Sequence, residues 1–151
     1  MWYNKVVQDL SNIPDFITYY EDQITQAKSD VRIYGNIEKN ISALPGLTEY
    51  RFNQLQEIEA VLNFLNIKLR KIKREHYKKY LEKYNRELSS RDAEKYADGE
   101  DEVIDFEILI NEVSLVRNKF LGVMKALESK NFMLGHVTRL RTAGMEDINL
   151  N

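Results

Sequence analysis

The sequence predicts a single all-α domain. Its 151 residues are 43% hydrophobic and 30% charged, a balance too apolar for a chain that is disordered throughout. Only 6 Gly and 2 Pro occur, which suits long helices better than a turn-rich β fold. Two segments also repeat apolar residues at helical spacing, as packed helices do. Within the one domain we expect a short helix and an irregular segment over residues 1–47, and a helical region over residues 48–151.

A short helix is predicted close to the N-terminus. Residues 11–15, SNIPD, are typical of a helix start, because proline is tolerated in the first turn of a helix. Apolar side chains then recur at helical spacing from Phe16 to about Lys28. The Pro45-Gly46 pair is expected to interrupt helical structure, so residues 30–47 are predicted to be irregular or extended.

The first long helix is predicted to run from Thr48 to about Leu88. Its apolar seam continues for about three heptads and comprises Leu55, Ile58, Leu62, Leu65, Leu69, Ile72 and His76. A helix with such a seam needs a partner, which a bundle or an oligomer supplies. Because His76 lies on the seam, we interpret it as a packed or interfacial histidine in preference to a catalytic one.

A connector, SSRDAEKYADGEDE, separates this helix from a second long one. In the connector, Ser90 is predicted to cap a short helical turn that ends near Gly99. The second long helix is predicted from Val103 to about Lys130, and its seam comprises Phe106, Leu109, Val113, Val116, Phe120, Val123 and Leu127. A break is expected at residues 129–131, followed by a short last helix that ends at Gly144. Two long seams indicate an antiparallel hairpin or packing between subunits.

The composition excludes several classes of function. The chain has no Cys, which rules out disulfides, thiolate metal sites and cysteine nucleophiles and fits an intracellular protein. Neither a signal peptide nor an apolar run of membrane-spanning length is visible, so a soluble cytosolic protein is expected. His76 and His136 are the only histidines, and the common catalytic and phosphate-binding motifs are missing. We therefore predict a protein that is not an enzyme and uses no metal or cofactor.

Charge is distributed unevenly along the chain. The formal net charge is -2, yet residues 67–86 carry +7 and residues 87–107 carry -7. The acidic cluster consists of Asp98, Glu100, Asp101, Glu102 and Asp105. One interpretation is a solvated helix N-terminus, where acidic side chains interact favourably with the helix dipole. The alternatives are that it pairs with the basic segment of the same or a neighbouring subunit, or that it forms a magnesium-dependent nuclease site.

The basic stretch, residues 68–86, is the candidate nucleic-acid interface. At about 100° per residue, its outer cations gather on the side of the helix away from the seam; they are Arg70, Lys71, Arg74 and Lys78. Lys73 falls nearer the edge of the seam. Tyrosines are interleaved with the later cations, and such rings can stack on unpaired bases while cations contact phosphates; they are Tyr77, Tyr80 and Tyr84. The alternative is the solvated face of a packing helix, although few acidic residues stand where they could pair locally.

A second, weaker basic group lies near the C-terminus around His136 and comprises Lys130, Arg139 and Arg141. These cations either bind an anion or interact with the negative end of a helix dipole. The same segment is apolar at three positions, Phe132, Val137 and Leu140, which we predict to form a contact between subunits.

From about Pro45 to Asp147 the chain resembles the UvsY family of recombination mediators from tailed phages. The resemblance is carried by LPGL, by the basic stretch KLRKIKREHYKKY, by the connector SSRDAEKYADGEDE, and by the closing segment ESKNFMLGHVTRLRTAG. The closing segment is the most specific, because Phe132, His136, Val137 and Arg141 follow the family's order. Residues 1–44 show much less similarity.

This resemblance implies a non-enzymatic protein that binds single-stranded DNA. It implies a ring-like homo-oligomer of about six or seven subunits, with a UvsX-type recombinase and a single-strand-binding protein as partners. Its place would be phage recombination and repair in the cytoplasm of the infected bacterial host. The family's DNA-contacting cations fall on Lys71 and Lys73, with Arg70 and Arg74 beside them. Combined with the helix geometry, the predicted DNA-binding residues are Lys68, Arg70, Lys71, Lys73, Arg74, Tyr77, Lys78 and Lys79. The alternative function is a helical assembly or scaffold protein that does not bind DNA.

Overall fold

A computed structural model describes residues 1–83 and 87–144. All regular structure in these residues is helical. Helix α1 spans Trp2–Gln8 and leads through a single 3-10 turn, Leu10–Asn12, into α2, which spans Ile13–Val31. The remaining helices are α3, Ile37–Glu82, α4, Ser90–Asp98, and α5, Asp101–Thr142. The all-α prediction is therefore confirmed for the described part of the chain, in which no helix has the length and hydropathy required to cross a membrane.

Helices α3 and α5 form a long antiparallel pair. They contain 46 and 42 residues, so at the helical rise they extend about 69 and 63 Å. His76 of α3 contacts Glu102 at the start of α5, with 2.8 Å between Nε2 and Oε2. Nearer the middle of both helices, Arg117 lies 3.9 Å from Glu59. Residue numbers thus rise along one helix as they fall along the other, as the predicted antiparallel hairpin requires.

Shorter helices cover the two ends of this pair. Helix α2 packs parallel to α5, since Lys119 lies 3.1 Å from Glu21 and Lys130 Nζ donates to the Asp30 carbonyl at 2.7 Å. At the other end, α4 packs against α3 and buries Ala93 there. The long pair is therefore covered by α1 and α2 along one part and by α4 along another.

The main core joins α1, α2, α3 and α5. It contains the first predicted seam from Leu55 to Leu65 and the second from Phe106 to Phe120, and the remaining seam positions lie outside it. Its largest buried side chains include Phe16, Tyr20, Leu65 and Phe120. The rings of Phe16 and Tyr20 meet edge to face with centroids 4.9 Å apart, an arrangement that adds to the free energy gained by burial. Glu57 accepts hydrogen bonds from the Tyr20 hydroxyl at 2.6 Å and from the backbone N–H of Tyr3 at 2.8 Å. Burial and this carboxylate raise the pKa of Tyr20, so the phenol stays protonated as the donor.

The prediction of an irregular segment up to residue 47 is wrong beyond Asn36. Helix α3 begins at Ile37, and the Asn36 side chain caps it by accepting from the Lys39 N–H at 3.1 Å. Pro45 lies inside the helix, where it lacks the N–H of an internal helical bond. Burial of Ile37 and Leu44 in a second core cluster against α5 offsets this cost. The boundary placed between residues 47 and 48 consequently falls within a helix.

The predicted break at residues 129–131 is also wrong. Helix α5 continues to Thr142, so no separate C-terminal helix exists within the described residues. Leu127 and Leu134, on either side of the expected break, are both buried in the second cluster, and their packing favours a continuous helix. Two smaller differences concern α1, which was not predicted, and the cap of α4, which Ser89 provides instead of Ser90.

Candidate nucleic-acid interface

The outer face of α3 carries a row of exposed cations over its last three turns. Within residues 1–83 and 87–144, none of these forms an ion pair: Arg70, Lys71, Arg74 and Lys78. Helical geometry separates the first of them from Lys78 by about 12 Å along the axis. The side on which sequence periodicity placed the outer cations is thus the exposed side of the helix. We call these four residues the cation row. Lys79 is also exposed, but at 100° per residue it projects about 180° from Arg70, and it helps to lower the pKa of Glu100.

Lys68 and Lys73 lie closer to the packed side of α3, and both are half-buried. Lys68 Nζ is 5.5 Å from the centroid of the Phe64 ring, within range of a cation-π contact. Lys73 Nζ lies 3.4 Å from Asp98 and 3.1 Å from Glu107. The hydrogen bond that Lys73 donates to Glu107 is the main cause of a raised Lys73 pKa. Lys73 is therefore the most strongly paired of the predicted DNA-binding cations, in agreement with its predicted position near the seam.

The acidic cluster contacts the basic stretch within the same chain. Asp98 contacts Lys73, Glu102 contacts His76, and Glu100 accepts from the Tyr80 hydroxyl at 2.5 Å. That hydrogen bond is the largest cause of a lowered Glu100 pKa. Two of the acidic residues also occupy the first turn of α5, where they interact with the positive end of the helix dipole. The acidic cluster therefore both lies at a helix N-terminus and pairs with the basic stretch of the same subunit.

The tyrosines of the basic stretch have different surroundings. Tyr80 stacks on Tyr96 of α4, with ring centroids 5.3 Å apart and an interplanar angle of 25°. It therefore helps to hold α4 against α3. Tyr77 is half-buried and lines an open groove between the same two helices. Tyr84 and Arg86 lie outside the described residues.

The groove beside Tyr77 has a volume of about 600 Å³. Its walls bring α4 residues next to the basic stretch; the lining comprises Lys73, Arg74, Tyr77, Ser90, Arg91, Glu94, Ala97 and Asp98. Sequence reasoning missed Arg91 because it treated this segment as a connector. The usable signal was the pair Ala93 and Ala97, one helical turn apart, which form the buried side of α4. The groove offers one aromatic ring and two arginines to a ligand that approaches along α3.

The predicted C-terminal residues do not form one site. Lys130 is buried, and burial lowers its pKa. Arg139 and Arg141 are exposed in the last turn of α5. Among the predicted subunit-contact residues, Phe132 and Leu140 are exposed, whereas Val137 packs against the second core cluster. The ring of His136 meets that of Phe132 edge to face at 4.6 Å.

In the part of the chain that the structure describes, no three His, Cys, Asp or Glu side chains are grouped so that they could hold a metal ion.

Comparisons with protein-family models, curated proteins and solved structures gave no match to this chain. The assignment of a function consequently depends on the geometry of α3 and on the resemblance carried by the sequence segments quoted above.

Proposed function

We propose that this chain is a single-stranded DNA-binding recombination mediator, which helps to load a UvsX-type recombinase onto DNA covered by single-strand-binding protein. The observation that supports DNA binding best is the cation row, which lies exposed and without ion pairs among the described residues, beside the groove that holds Tyr77. Such cations bind and neutralise the phosphates of a DNA strand, and unpaired bases stack on an adjacent aromatic ring. The role in recombination rests on the resemblance to UvsY.

The proposed mechanism needs no catalytic residue. Each subunit offers a short and largely electrostatic DNA site, so its own affinity is modest. A homo-oligomer repeats that site, and many weak contacts together hold a strand that any single subunit can release. Strand release is what a mediator requires, because the recombinase must replace it on the same DNA. We place this activity in the cytoplasm of the infected bacterial host.

A salt series tests the DNA-binding part of the proposal. We expect the wild-type protein to bind a fluorescently labelled single-stranded oligonucleotide, with log K falling linearly against log salt. Lys71→Ala with Arg74→Ala should weaken binding on the order of tenfold and reduce that slope by about 1.4 for each subunit engaged, since each phosphate contact on a single strand contributes about 0.7.

The matched control for that experiment is Lys28→Ala with Arg32→Ala. These two cations are exposed near the end of α2, far from the cation row, and their removal changes the net charge equally. The control should retain the wild-type slope. Fluorescence anisotropy reports both quantities, and a wild-type protein that binds no oligonucleotide at low salt would rule out the proposal.

A second candidate function is a helical scaffold protein that does not bind DNA. It is favoured by the contacts of Lys73 with Asp98 and Glu107, because these carboxylates neutralise part of the basic stretch. The mediator proposal interprets the same contacts differently. Carboxylates so close to the cation row would compete with DNA phosphates for the cations.

Neutralising those two carboxylates separates the candidates. For a mediator, Asp98→Asn with Glu107→Gln should tighten oligonucleotide binding about twofold to fivefold, because Lys73 becomes available and local repulsion falls. Asp22→Asn with Glu128→Gln is the control, as both acids are exposed, remote from α4 and without an ion pair among the described residues. Equal binding by both variants would show that Asp98 and Glu107 do not compete with DNA, and no binding by either variant would favour the scaffold.

A further inference from the structure

Helix α5 exposes an apolar patch on its N-terminal half. The side chains of Ile104, Ile108 and Leu115 are 41%, 54% and 55% exposed. At 100° per residue they fall within about 40° of one another, on the side of α5 away from the buried Val113 and Val116. A shallow groove of about 400 Å³ lies along this face and is lined by Ile108 and Leu115 among others. We call these three residues the N patch.

A second exposed patch occupies the C-terminal half of the same helix. Phe132, Met133 and Leu140 are 67%, 52% and 41% exposed. Leu115 and Phe132 are separated by about 26 Å of helix, and the surface between them carries Asn118, Gly122 and Ser129. The two apolar areas are therefore distinct. We call the second one the C patch.

The charges beside the two patches are opposite in sign. Around the N patch the exposed acids are Asp101, Asp105 and Glu112. Around the C patch the exposed cations are Lys125, Arg139 and Arg141, with Glu128 as the one acid nearby on the described part of α5. None of these charged groups forms an ion pair with another described residue. Each patch thus combines an apolar centre with a charged rim, which is the general anatomy of a protein interface.

We propose that the N patch of one copy of this chain binds the C patch of another copy. Contact between unlike patches buries apolar side chains from both copies and places the acidic rim opposite the basic one. Contact between like patches would bring acids against acids, or cations against cations, and is disfavoured. Because the two patches are different surfaces of one helix, the contact can repeat from subunit to subunit until a ring closes, or two antiparallel α5 helices can make both contacts at once.

This proposal rests on the proposed function only in that a mediator is expected to be a homo-oligomer. The sequence indicated only one side of a subunit contact, which comprises Phe132, Val137 and Leu140. The proposal assigns the N patch as the opposite side. Val137 packs mainly within its own subunit, so we assign its place in the contact to the exposed Met133.

Mixing two assembly-defective variants tests the contact. The wild-type protein should have a mass several times 17.8 kDa in light scattering at micromolar concentration. Ile108→Glu removes the N patch and Phe132→Glu removes the C patch, so each variant alone should be monomeric. In a mixture of the two, the intact C patch of the first meets the intact N patch of the second, and a complex of one copy of each should form.

Phe52→Glu is the control, because Phe52 is an exposed aromatic residue of α3 outside both patches and its replacement should leave the wild-type mass. Circular dichroism checks that each variant stays helical. Should a glutamate variant unfold, Glu112→Lys and Arg139→Glu provide the same pair of defects at the rims, and their mixture should again associate.

The proposal is overturned by a monomeric wild type, by single variants that keep the wild-type mass, or by folded variants that stay monomeric when mixed. DNA binding is measured in a separate experiment. The cation row lies on α3, so monomeric Ile108→Glu should still bind an oligonucleotide short enough for one subunit, with a salt dependence that Arg74→Ala reduces. Binding that Arg74→Ala leaves unchanged would count against the DNA site and leave the patch contact standing.

Discussion

Replacing Asp30 with alanine is expected to lower the free energy of unfolding by about 3–5 kcal/mol. Its Oδ2 accepts from Arg51 Nε at 2.8 Å and from Nη2 at 2.5 Å, and the Arg51 side chain is only 5% exposed. Arg51 Nη1 also donates to Gln23 and Gln54 at 3.1 and 2.9 Å. Removing the carboxylate leaves a buried guanidinium without its counter-charge, and the two glutamines cannot neutralise it. Chemical denaturation measures the loss directly.

A second replacement isolates the cause of that loss. Asp30→Ala combined with Arg51→Met should recover most of the stability, because an apolar pair of similar volume often substitutes well for a buried ion pair. The exposed pair of Lys119 and Glu21 is the control, and Glu21→Ala should cost no more than about 1 kcal/mol. If Asp30→Ala cost as little as Glu21→Ala, the buried pair would not stabilise the junction of α2 and α3.

Reversing two charges of the cation row should nearly abolish DNA binding. Arg70→Glu with Arg74→Glu is expected to weaken oligonucleotide binding about 100-fold at low salt, since two phosphate contacts are lost and two repulsive charges replace them. Both side chains are exposed and form no ion pair within the described residues, so the melting temperature should remain close to that of the wild type.

Lys28→Glu with Arg32→Glu gives the same change in net charge at the end of α2 and serves as the control. It should weaken binding by no more than a few-fold, through the long-range field alone. Equal losses in the two variants would mean that DNA responds to overall charge, and the assignment to α3 would fail. Electrophoretic mobility shift at two salt concentrations distinguishes these results.

The helical seams explain why much of the fold could be predicted from the sequence. Leu55, Ile58, Leu62 and Leu65 are all buried where the heptad pattern placed them, as are Val113, Val116 and Phe120 on the partner helix. Residues that commonly end helices were misleading at Pro45 and near Asn131. At both places tertiary packing of Leu44 and Leu134 holds the helix together, and a single sequence does not show which distant residues will cover a given apolar side chain.

The surroundings of the basic stretch were predictable to a similar extent. Helical periodicity separated the exposed Arg70, Lys71, Arg74 and Lys78 from Lys73, which the structure places in contact with acids of α4 and α5. It could not show that Tyr80 packs on Tyr96 while Tyr77 lines a groove with Arg91, because those neighbours depend on how α4 folds back along α3.

Photocrosslinking tests most directly the central claim that a single strand follows the outer face of α3. An oligonucleotide carrying 5-iododeoxyuridine, bound at low salt and irradiated, should crosslink to Tyr77, the aromatic ring beside the cation row. Mass spectrometry of the digested complex would then find the nucleotide on the peptide that contains Tyr77, and Tyr77→Leu would lose that adduct. Crosslinks confined to α1, α2 or the outer face of α5, with none on α3, would contradict the claim.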